Sequence, residues 1–261
     1  TIMGRPTGSP VATSLLFILP VMLIGGVVAS VAVAVAMERF AYRPLRNAPR
    51  LAPLISAIGV SVFLQELVRL FFGRIPGMPD AKSDLAFPSI SGISGASVQV
   101  GGVLIRASAI FTIGALVLCT VFLWIFVDRT KTGRAMVATS QDADTARLMG
   151  INVDRVIVSA FAVGAVLAAV AGVAQGLTVG NIGFRMGFLA GLKAFTAAVL
   201  GGIGNIYGAV VGGLVLGVAE ALASNYLGTT AWKDVWAFIL LILVLVFRPQ
   251  GLLGAKVVDR A

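Results

Sequence analysis

Residues 128–155 read DRTKTGRAMVATSQDADTARLMGINVDR, a polar stretch that separates two apolar runs of the chain. Nine of the chain's 31 Asp, Glu, Lys and Arg residues lie in these 28 positions. The run before it, 103–127, carries only Arg106, and the run after it, 156–180, carries no charge. Apolar runs of about 20 residues match the hydrocarbon thickness of a bilayer. We therefore predict two membrane spans joined by a structured polar loop.

The whole chain has the composition of a membrane protein. Its 261 residues are 58% hydrophobic and only 12% charged, and the mean hydropathy is +1.00. A soluble domain averages about 25% charged residues. Because lipid offers no partners for backbone polar groups, membrane spans are either helices or closed barrels. The apolar runs are continuous and do not alternate with period two, which favours helices. The predicted fold is an all-α, polytopic transmembrane helical bundle.

Seven apolar segments can be marked along the chain, which we treat as a single transmembrane domain over residues 1–261. They are 11–36, 51–73, 103–127, 153–180, 184–200, 205–225 and 232–247. The fifth segment is short and contains Arg185 and Lys193, so we predict a broken or re-entrant helix there. Because the first residue is Thr1 and not Met, we expect natural N-terminal sequence, including further spans, to be missing.

The positions of Lys and Arg predict the orientation, because cytoplasmic loops carry an excess of both. If all seven segments cross, twelve cations share one side: Arg39, Arg43, Arg46, Arg50, Arg129, Lys131, Arg134, Arg147, Arg155, Arg248, Lys256 and Arg260. The other side receives six: Arg5, Arg74, Lys82, Arg106, Arg185 and Lys233. The first group, the polar loop and the C-terminus are therefore predicted to be cytoplasmic. The long loop 74–102 then lies outside, as a binding loop or a plain connector.

Several kinds of chemistry are excluded by the residue content. The chain has no His and a single Cys, Cys119, inside an apolar run, so zinc, haem and disulfide sites are not expected. A phosphate-binding P-loop needs Gly-Lys-Ser/Thr, and none of the five Lys residues follows a Gly. We predict no catalytic residue, no metal, no cofactor and no enzymatic activity. The net charge of +9 is explained by the loops, so nucleic acid is not an expected partner.

Away from their ends, the apolar segments contain four charged residues, namely Glu66, Arg69, Lys193 and Glu220. Each costs on the order of 3 kcal/mol at the bilayer centre unless it is paired or hydrated. Glu66 and Arg69 are three residues apart on one helix and can neutralise each other. Lys193 and Glu220 have no local partner, so they either pair between segments or line a hydrated path for a zwitterion. The candidates for a translocation path are Gln65, Glu66, Lys193, Phe195, Thr196 and Glu220.

Glycines recur four residues apart in the second half of the chain, a spacing that lets membrane helices approach closely. The rows are Gly172, Gly176 and Gly180; Gly183, Gly187 and Gly191; Gly208 and Gly212; and Gly213 and Gly217. They indicate either a tightly packed, rearrangeable path or ordinary helix packing.

The polar loop itself carries helix signals. Residues 139–142, Thr-Ser-Gln-Asp, resemble a capping box at a helix N-terminus, and Gly150 is a typical C-terminal stop. We predict one short helix of about two turns between them. Because a lone helix of this length is marginal in water, it must pack against its own bundle or dock into another protein. We favour docking, since a plain connector needs no such helix.

At this point the residues resemble a known family. TKTGRAMVATSQDADTARLMGINVDRV resembles the cytoplasmic loop of the LivH-type permeases of branched-chain amino acid ABC importers. Four further segments are similar to the same family: ERFAYRPLR, LAPLISAIGVSVFLQE, GFLAGLKAFTAAVLGGIGNIYGAVVGG and FRPQGLLG. The resemblance runs from about residue 38 to residue 254. LivM-type and simple-sugar permeases share the loop pattern more loosely.

The resemblance implies a bundle of the type II-like ABC importer permease class in the bacterial inner membrane. It implies import of leucine, isoleucine and valine, powered by ATP that partner subunits hydrolyse. The implied partners are two ABC ATPase subunits, a second permease subunit of the LivM type and an extracytoplasmic substrate-binding protein. The family's loop carries a coupling helix, and the matching positions are Asp142, Ala146, Arg147, Leu148, Met149 and Gly150. The family's N-terminal Asn-Phe-Ala-His-Gly-like segment is absent from this sequence.

Three alternatives remain open from the residues. A related permease could carry urea or short amides. An ion-coupled secondary transporter would need membrane carboxylates or broken helices as ion sites, for which Glu66 and Glu220 are candidates. A membrane scaffold that transports nothing is the third alternative.

Overall fold

The computed structural model describes residues 11–45, 48, 52–71, 74, 85–87, 97–100, 103–226, 233–248 and 250–254. The chain divides into two compact units, Thr1–Phe184 and Arg185–Ala261. The described residues are mainly helical, so the predicted all-α membrane class is confirmed. Whether the whole chain acts as a single domain stays a prediction.

The first unit contains six α-helices and four short strands among its described residues. The helices are α1 (Val11–Met37), α2 (Ala52–Phe71), α3 (Ala107–Arg129), α4 (Lys131–Gln141), α5 (Ala143–Leu148) and α6 (Val153–Val179). A π-helical turn (Glu38–Tyr42) and a 3-10 turn (Arg43–Leu45) follow α1. The strands are β1 (Leu85–Ala86), β2 (Ser97–Val100), β3 (Val103–Arg106) and β4 (Asn181–Ile182).

The predicted apolar segments all contain helices, with one boundary error. Within the described residues, four helical stretches are long and apolar enough to cross a membrane: Ile18–Leu45, Ala107–Arg129, Val153–Val179 and Ile206–Tyr226. The number of seven crossings stays a prediction. The start of the third segment is wrong, because residues 103–106 form a strand that pairs antiparallel with Ser97–Val100. The three apolar residues Val103 to Ile105, two of them β-branched, suit a strand as well as a helix, and pairing with Ser97–Val100 decided the outcome.

Helix α6 is the centre of the first unit and contacts both α1 and α3. Ser30 on α1 donates a hydrogen bond from Oγ to the backbone oxygen of Ala165 on α6, at 2.9 Å. Two residues of α6 form a buried apolar cluster with side chains from α1, α3 and the segment after β1. They are Val173 and Leu177, packed against Leu19, Leu23, Phe87 and Phe111.

The two ends of α6 contact different loops. At its N-terminal end, Arg43 donates to Asp154 with a distance of 3.1 Å between Nη2 and Oδ2. At its C-terminal end, β4 pairs antiparallel with β1, and the backbone N–H of Phe87 donates to the oxygen of Gly180 at 2.8 Å. A Cβ added to Gly176 would lie 2.5 Å from Cε2 of Phe87, so the ring occupies the space that the glycine leaves. The segment after α1 and the polar loop therefore share one end of this unit.

The second unit consists, in its described residues, of α7 (Met186–Gly201), α8 (Ile206–Tyr226) and α9 (Lys233–Phe247). Helix α7 is continuous, so a break in the fifth segment is contradicted, while a re-entrant course stays a prediction. Its 16 residues span only about 24 Å, against about 30 Å of hydrocarbon. The backbone N–H groups of Leu252 and Leu253 donate to the oxygens of Leu200 and Gly201, at 2.8 and 2.9 Å. These bonds satisfy carbonyls that a helix C-terminus otherwise leaves unpaired.

Only some of the predicted glycine rows bring helices together. A Cβ on Gly212 would collide with the backbone oxygen of Ala197, and one on Gly208 would lie 2.5 Å from the oxygen of Gly201. The close approach of α7 and α8 at this row is therefore confirmed. At five described glycines of the predicted rows, an added Cβ meets no atom within 4 Å: Gly172, Gly180, Gly187, Gly191 and Gly217. Spacing alone does not say which row faces a neighbouring helix.

Candidate functional site

The polar loop 128–155 folds into two helices, and its first helix was not predicted. Thr130 caps α4, because its Oγ1 accepts a hydrogen bond from the backbone N–H of Gly133 at 3.0 Å. The same hydroxyl donates to the oxygen of Phe126 at 2.6 Å. A Cβ on Gly133 would collide with the carbonyl oxygens of Phe126 and Val127. The chain thus turns sharply from α3 into α4, and only glycine fits at this turn.

The predicted start of the second helix at Thr139 is wrong by three residues. Thr139 belongs to α4, and Asp142 is the residue that caps α5. The Oδ1 atom of Asp142 accepts from the backbone N–H groups of Asp144 and Thr145, at 2.9 and 3.1 Å. Hydrogen bonds from the Thr145 hydroxyl and then from these backbone groups hold the pKa of Asp142 below its ordinary value. The extended backbone of Asp142 interrupts a helix that already contains Thr139.

The predicted end of this helix at Gly150 is confirmed. Gly150 has a φ of 82°, the left-handed conformation that glycine adopts at helix C-termini. The N–H of Ile151 donates to the oxygen of Ala146 at 3.0 Å, which closes the last turn. Asn152 then caps α6, its Oδ1 accepting from the N–H of Arg155 at 3.1 Å. Helix α5, although only six residues long, is thus fixed at both ends.

The six predicted coupling residues fall into two groups. Ala146 is only 4% exposed and packs α5 onto the unit, while Asp142 serves as its cap. The remaining four, which we call the α5 tip, are exposed: Arg147, Leu148, Met149 and Gly150. Leu148 and Met149 are 89% and 79% exposed. Two large apolar side chains at such exposure, on a polar loop, are typical of a surface that another protein covers.

One candidate path group lies on α2 in the first unit. Glu66 and Arg69 form the predicted i,i+3 ion pair, with 2.7 Å between Oε2 and Nε. Gln65 donates from Nε2 to Oγ of Ser61 at 3.4 Å. The pairing of Glu66 with Arg69 is confirmed, while the role of this group in a path stays a prediction.

The other candidates lie in the second unit. Nζ of Lys193 on α7 lies 3.0 Å from each carboxylate oxygen of Glu220 on α8. Oε2 accepts a hydrogen bond, whereas Oε1 is a charge contact outside hydrogen-bonding geometry. The predicted pair between segments is thus confirmed. Thr196 is buried, with its Oγ1 donating to the oxygen of Leu192, and Phe195 is exposed.

Sequence reasoning missed a group of polar residues between α3 and α6. Thr112, Gln175 and Thr178 line a cavity of about 480 Å³ whose other lining residues are mostly small or aliphatic. The sequence argument selected residues within apolar runs mainly by charge, and threonine and glutamine are uncharged. Their spacing on α6, three residues apart, was the signal that could have placed Gln175 and Thr178 on one face.

Comparison with known proteins identifies similar chains. A family model described as the permease component of a branched-chain amino acid transport system matches residues 3–245. The high-affinity branched-chain amino acid transport system permease protein LivH of Salmonella typhimurium is 47% identical over 240 residues, covering 91% of this chain and 75% of that protein. LivH of Escherichia coli K12 is 46% identical over 240 residues, and the match again covers 91% of this chain and 75% of that protein.

A second named relative and a more distant one extend the comparison. The corresponding permease protein BraD of Pseudomonas aeruginosa is 45% identical over 248 residues, covering 92% of this chain and 78% of that protein. The fructose import permease protein FrcC of Rhizobium meliloti is 36% identical over 78 residues, or 29% of this chain and 21% of its own. No solved structure matches the chain significantly.

Proposed function

This chain belongs to the family of branched-chain amino acid transport permeases, and on that premise we propose that it is the membrane-spanning permease of an ATP-driven importer for leucine, isoleucine and valine. The similarity to LivH and BraD proteins extends over more than nine-tenths of its length. Permeases of this family are transport proteins and not a class of enzymes. The chain's own part is to form the translocation path and to receive the energy of ATP hydrolysis from other subunits.

The observation that carries this proposal is the exposed α5 tip. Leu148 and Met149 lie at the end of a short helix that caps hold rigidly at both ends. The given sequence contains no Gly-Lys pair, and we propose that separate ATPase subunits bind the ATP. The α5 tip offers an ATPase subunit an apolar contact, and the caps transmit a push on it to α6. We expect two ABC ATPase subunits, a second LivM-type permease and an extracytoplasmic binding protein as partners.

The positions of Lys and Arg in the first unit support an inner-membrane protein, with one end of that unit facing the cytoplasm. The end of the first unit that joins the segment after α1 to the polar loop carries seven described cations: Arg39, Arg43, Arg129, Lys131, Arg134, Arg147 and Arg155. The positive-inside rule assigns such an end to the cytoplasm. The C-terminus is assigned to the cytoplasm as well, because Arg248, Lys256 and Arg260 lie near it and fall on the same side in the predicted topology.

The ion-coupled alternative has less support. A secondary transporter needs a membrane carboxylate that can take up a cation or proton. Glu66 contacts Arg69 at 2.7 Å, and Glu220 contacts Lys193 at 3.0 Å. Both candidate carboxylates are thus neutralised by basic side chains. No specific observation favours urea or short amides over branched-chain amino acids.

Uptake by the reconstituted importer tests the proposal. Proteoliposomes containing this chain with its ATPase, second permease and binding protein should accumulate leucine only when ATP is present. Ionophores that collapse proton and sodium gradients should leave uptake unchanged, and an ATPase whose P-loop lysine is replaced serves as the control. Uptake driven by an ion gradient without ATP would overturn the proposal. Competition by excess isoleucine or valine, with no competition by urea or acetamide, distinguishes the substrate class.

A further inference from the structure

The cavity between α3 and α6 has a lining that no part of the proposed function uses. Its volume is about 480 Å³, which lies within the range of small-molecule sites. Thr112 enters it from α3, and Gln175 and Thr178 enter it from α6. Both helices are long and apolar enough to span a membrane, so these are uncharged polar groups placed along candidate spans.

The hydroxyl groups of the two threonines lie within hydrogen-bonding distance of each other. Oγ1 of Thr112 donates to the backbone oxygen of Ser108 at 2.8 Å, and Oγ1 of Thr178 donates to that of Ala174 at 2.8 Å. The two hydroxyl oxygens lie 3.4 Å apart. Each hydroxyl has one hydrogen and two acceptor lone pairs, so each oxygen can still accept a hydrogen bond whether its own hydrogen goes to the backbone or to the other threonine. The facing oxygens therefore offer lone pairs, and a donor such as an ammonium group placed beside them satisfies both.

Gln175 supplies the opposite kind of group. Within the part of the chain that the structure describes, no residue hydrogen-bonds its side-chain amide. A carboxamide carries two N–H donors, which suit the oxygens of a carboxylate. Gln175 and Thr178 are three residues apart on α6, so their side chains project from the same face. Acceptors for an ammonium and donors for a carboxylate thus lie side by side.

The rest of the cavity suits an aliphatic side chain. Leu116 of α3 and Leu167 and Val170 of α6 line it, with alanines between them. The lining carries no charged group. A zwitterion bound by neutral groups gains no ion pair with the protein, so we expect it to be held more weakly than in a site lined by opposite charges. Weak binding is what a path requires, since a tightly held molecule does not leave.

Building on the proposed function, we propose that the cavity of Thr112, Gln175 and Thr178 is a transit site that binds the α-ammonium and α-carboxylate of the imported amino acid. The threonine oxygens accept from the ammonium, and the Gln175 amide donates to the carboxylate. The aliphatic wall receives the branched side chain. None of these three residues is among the charged path candidates on α2, α7 and α8.

Substitutions of matched shape test the transit site in the reconstituted importer. Thr112→Val together with Thr178→Val removes both acceptors at nearly constant volume, and Gln175→Leu removes the donors. Each should lower the leucine uptake rate by roughly tenfold, the factor expected for a lost hydrogen bond. ATP hydrolysis stimulated by the binding protein should stay near that of the unmodified importer, because these substitutions leave the α5 tip unchanged.

Two controls separate the loss of a ligand contact from damage to the fold. Thr120→Val removes the same kind of hydroxyl on α3, one that donates to the oxygen of Leu116 at 2.7 Å but does not line the cavity. It should transport normally. Thr112→Ser with Thr178→Ser keeps both oxygens and should also transport normally.

Three outcomes distinguish the inferences. If the unmodified importer shows no ATP-dependent leucine uptake, the proposed function fails and the transit site fails with it. If it transports and the valine and leucine variants transport equally well, the transit site alone is overturned. An equal loss in Thr120→Val, or no recovery in the serine variant, shows a structural effect and also overturns the transit site.

Discussion

Lys193 on α7 and Glu220 on α8 form an ion pair, with Nζ 3.0 Å from each carboxylate oxygen. Their side chains are 26% and 19% exposed, so the pair is largely removed from solvent. Gly208 and Gly212 bring the two helices close enough together for backbone to touch backbone. Each charge thus offsets the cost of burying the other between two apolar helices, and Gly208 and Gly212 set the distance between α7 and α8.

Removing one charge of this pair should destabilise the protein. Lys193→Met leaves the Glu220 carboxylate partly buried beside apolar helices, and we expect a loss of roughly 2 kcal/mol, less than for a fully buried pair. The midpoint of thermal unfolding in detergent measures it. Exchanging the charges, with Lys193→Glu and Glu220→Lys in one chain, should recover stability and uptake. Failure of the exchange to recover either would count against a structural pair. Arg69→Gln, which breaks a more exposed pair on α2, should cost less.

Introducing a charge into the α5 tip should weaken assembly with the ATPase. In Met149→Asp, a carboxylate replaces an apolar side chain that is 79% exposed, so folding and membrane insertion should be unaffected. The loss of a central apolar contact typically costs more than 1 kcal/mol, so co-purification of the ATPase should fall at least roughly fivefold. Ser140→Asp places the same charge on an exposed position of α4 and is the matched control. Equal co-purification of both variants with the ATPase would remove the docking role of the α5 tip.

Acid should loosen the start of α5. Because hydrogen bonds lower the pKa of Asp142 in the folded protein, its contribution to stability is complete above the ordinary value of 3.8 and is lost as the pH falls through the lower folded value. Hydrogen exchange at the amides of Asp144 and Thr145 reports this opening, after correction for the intrinsic pH dependence of exchange. Asp142→Asn caps without titrating, so its protection should not change over that range. An identical pH profile of exchange in both proteins would contradict the assignment of Asp142 as the titrating cap of α5.

Replacing a glycine of α8 with alanine should lower stability only where α8 touches α7, in the row of Gly208 and Gly212. The Cβ in Gly212→Ala would collide with the backbone oxygen of Ala197, and we expect a loss of about 1–3 kcal/mol from overpacking. Gly217→Ala lies on the same helix, where an added Cβ meets nothing within 4 Å. This control should unfold like the unmodified protein or at a slightly higher temperature, since alanine favours helices. Equal destabilisation by both would show that α7 and α8 do not meet at Gly212.

Local sequence was sufficient for the helices and for some of their ends. The apolar runs predicted helices because spanning lipid imposes one length and one way to satisfy the backbone. Gly150 marked its helix end because the left-handed backbone strongly favours glycine. The predicted boundaries were wrong where one sequence pattern was compatible with two local structures. Thr139 and Asp142 both resemble caps, and residues 103–106 suit strand or helix, so neighbouring structure decided.

By itself, then, the sequence determined a helical membrane protein, the family that it resembles and a short capped helix in its polar loop. These depend on composition and on contacts within a few residues. Only the tertiary structure decided that Lys193 meets Glu220, that Gly212 and not Gly217 contacts α7, and that Thr112 joins Gln175 and Thr178 around one cavity. Each of these depends on how one helix is rotated about its axis towards another. That rotation is set by the packing of whole helix faces, and no short stretch of sequence contains it.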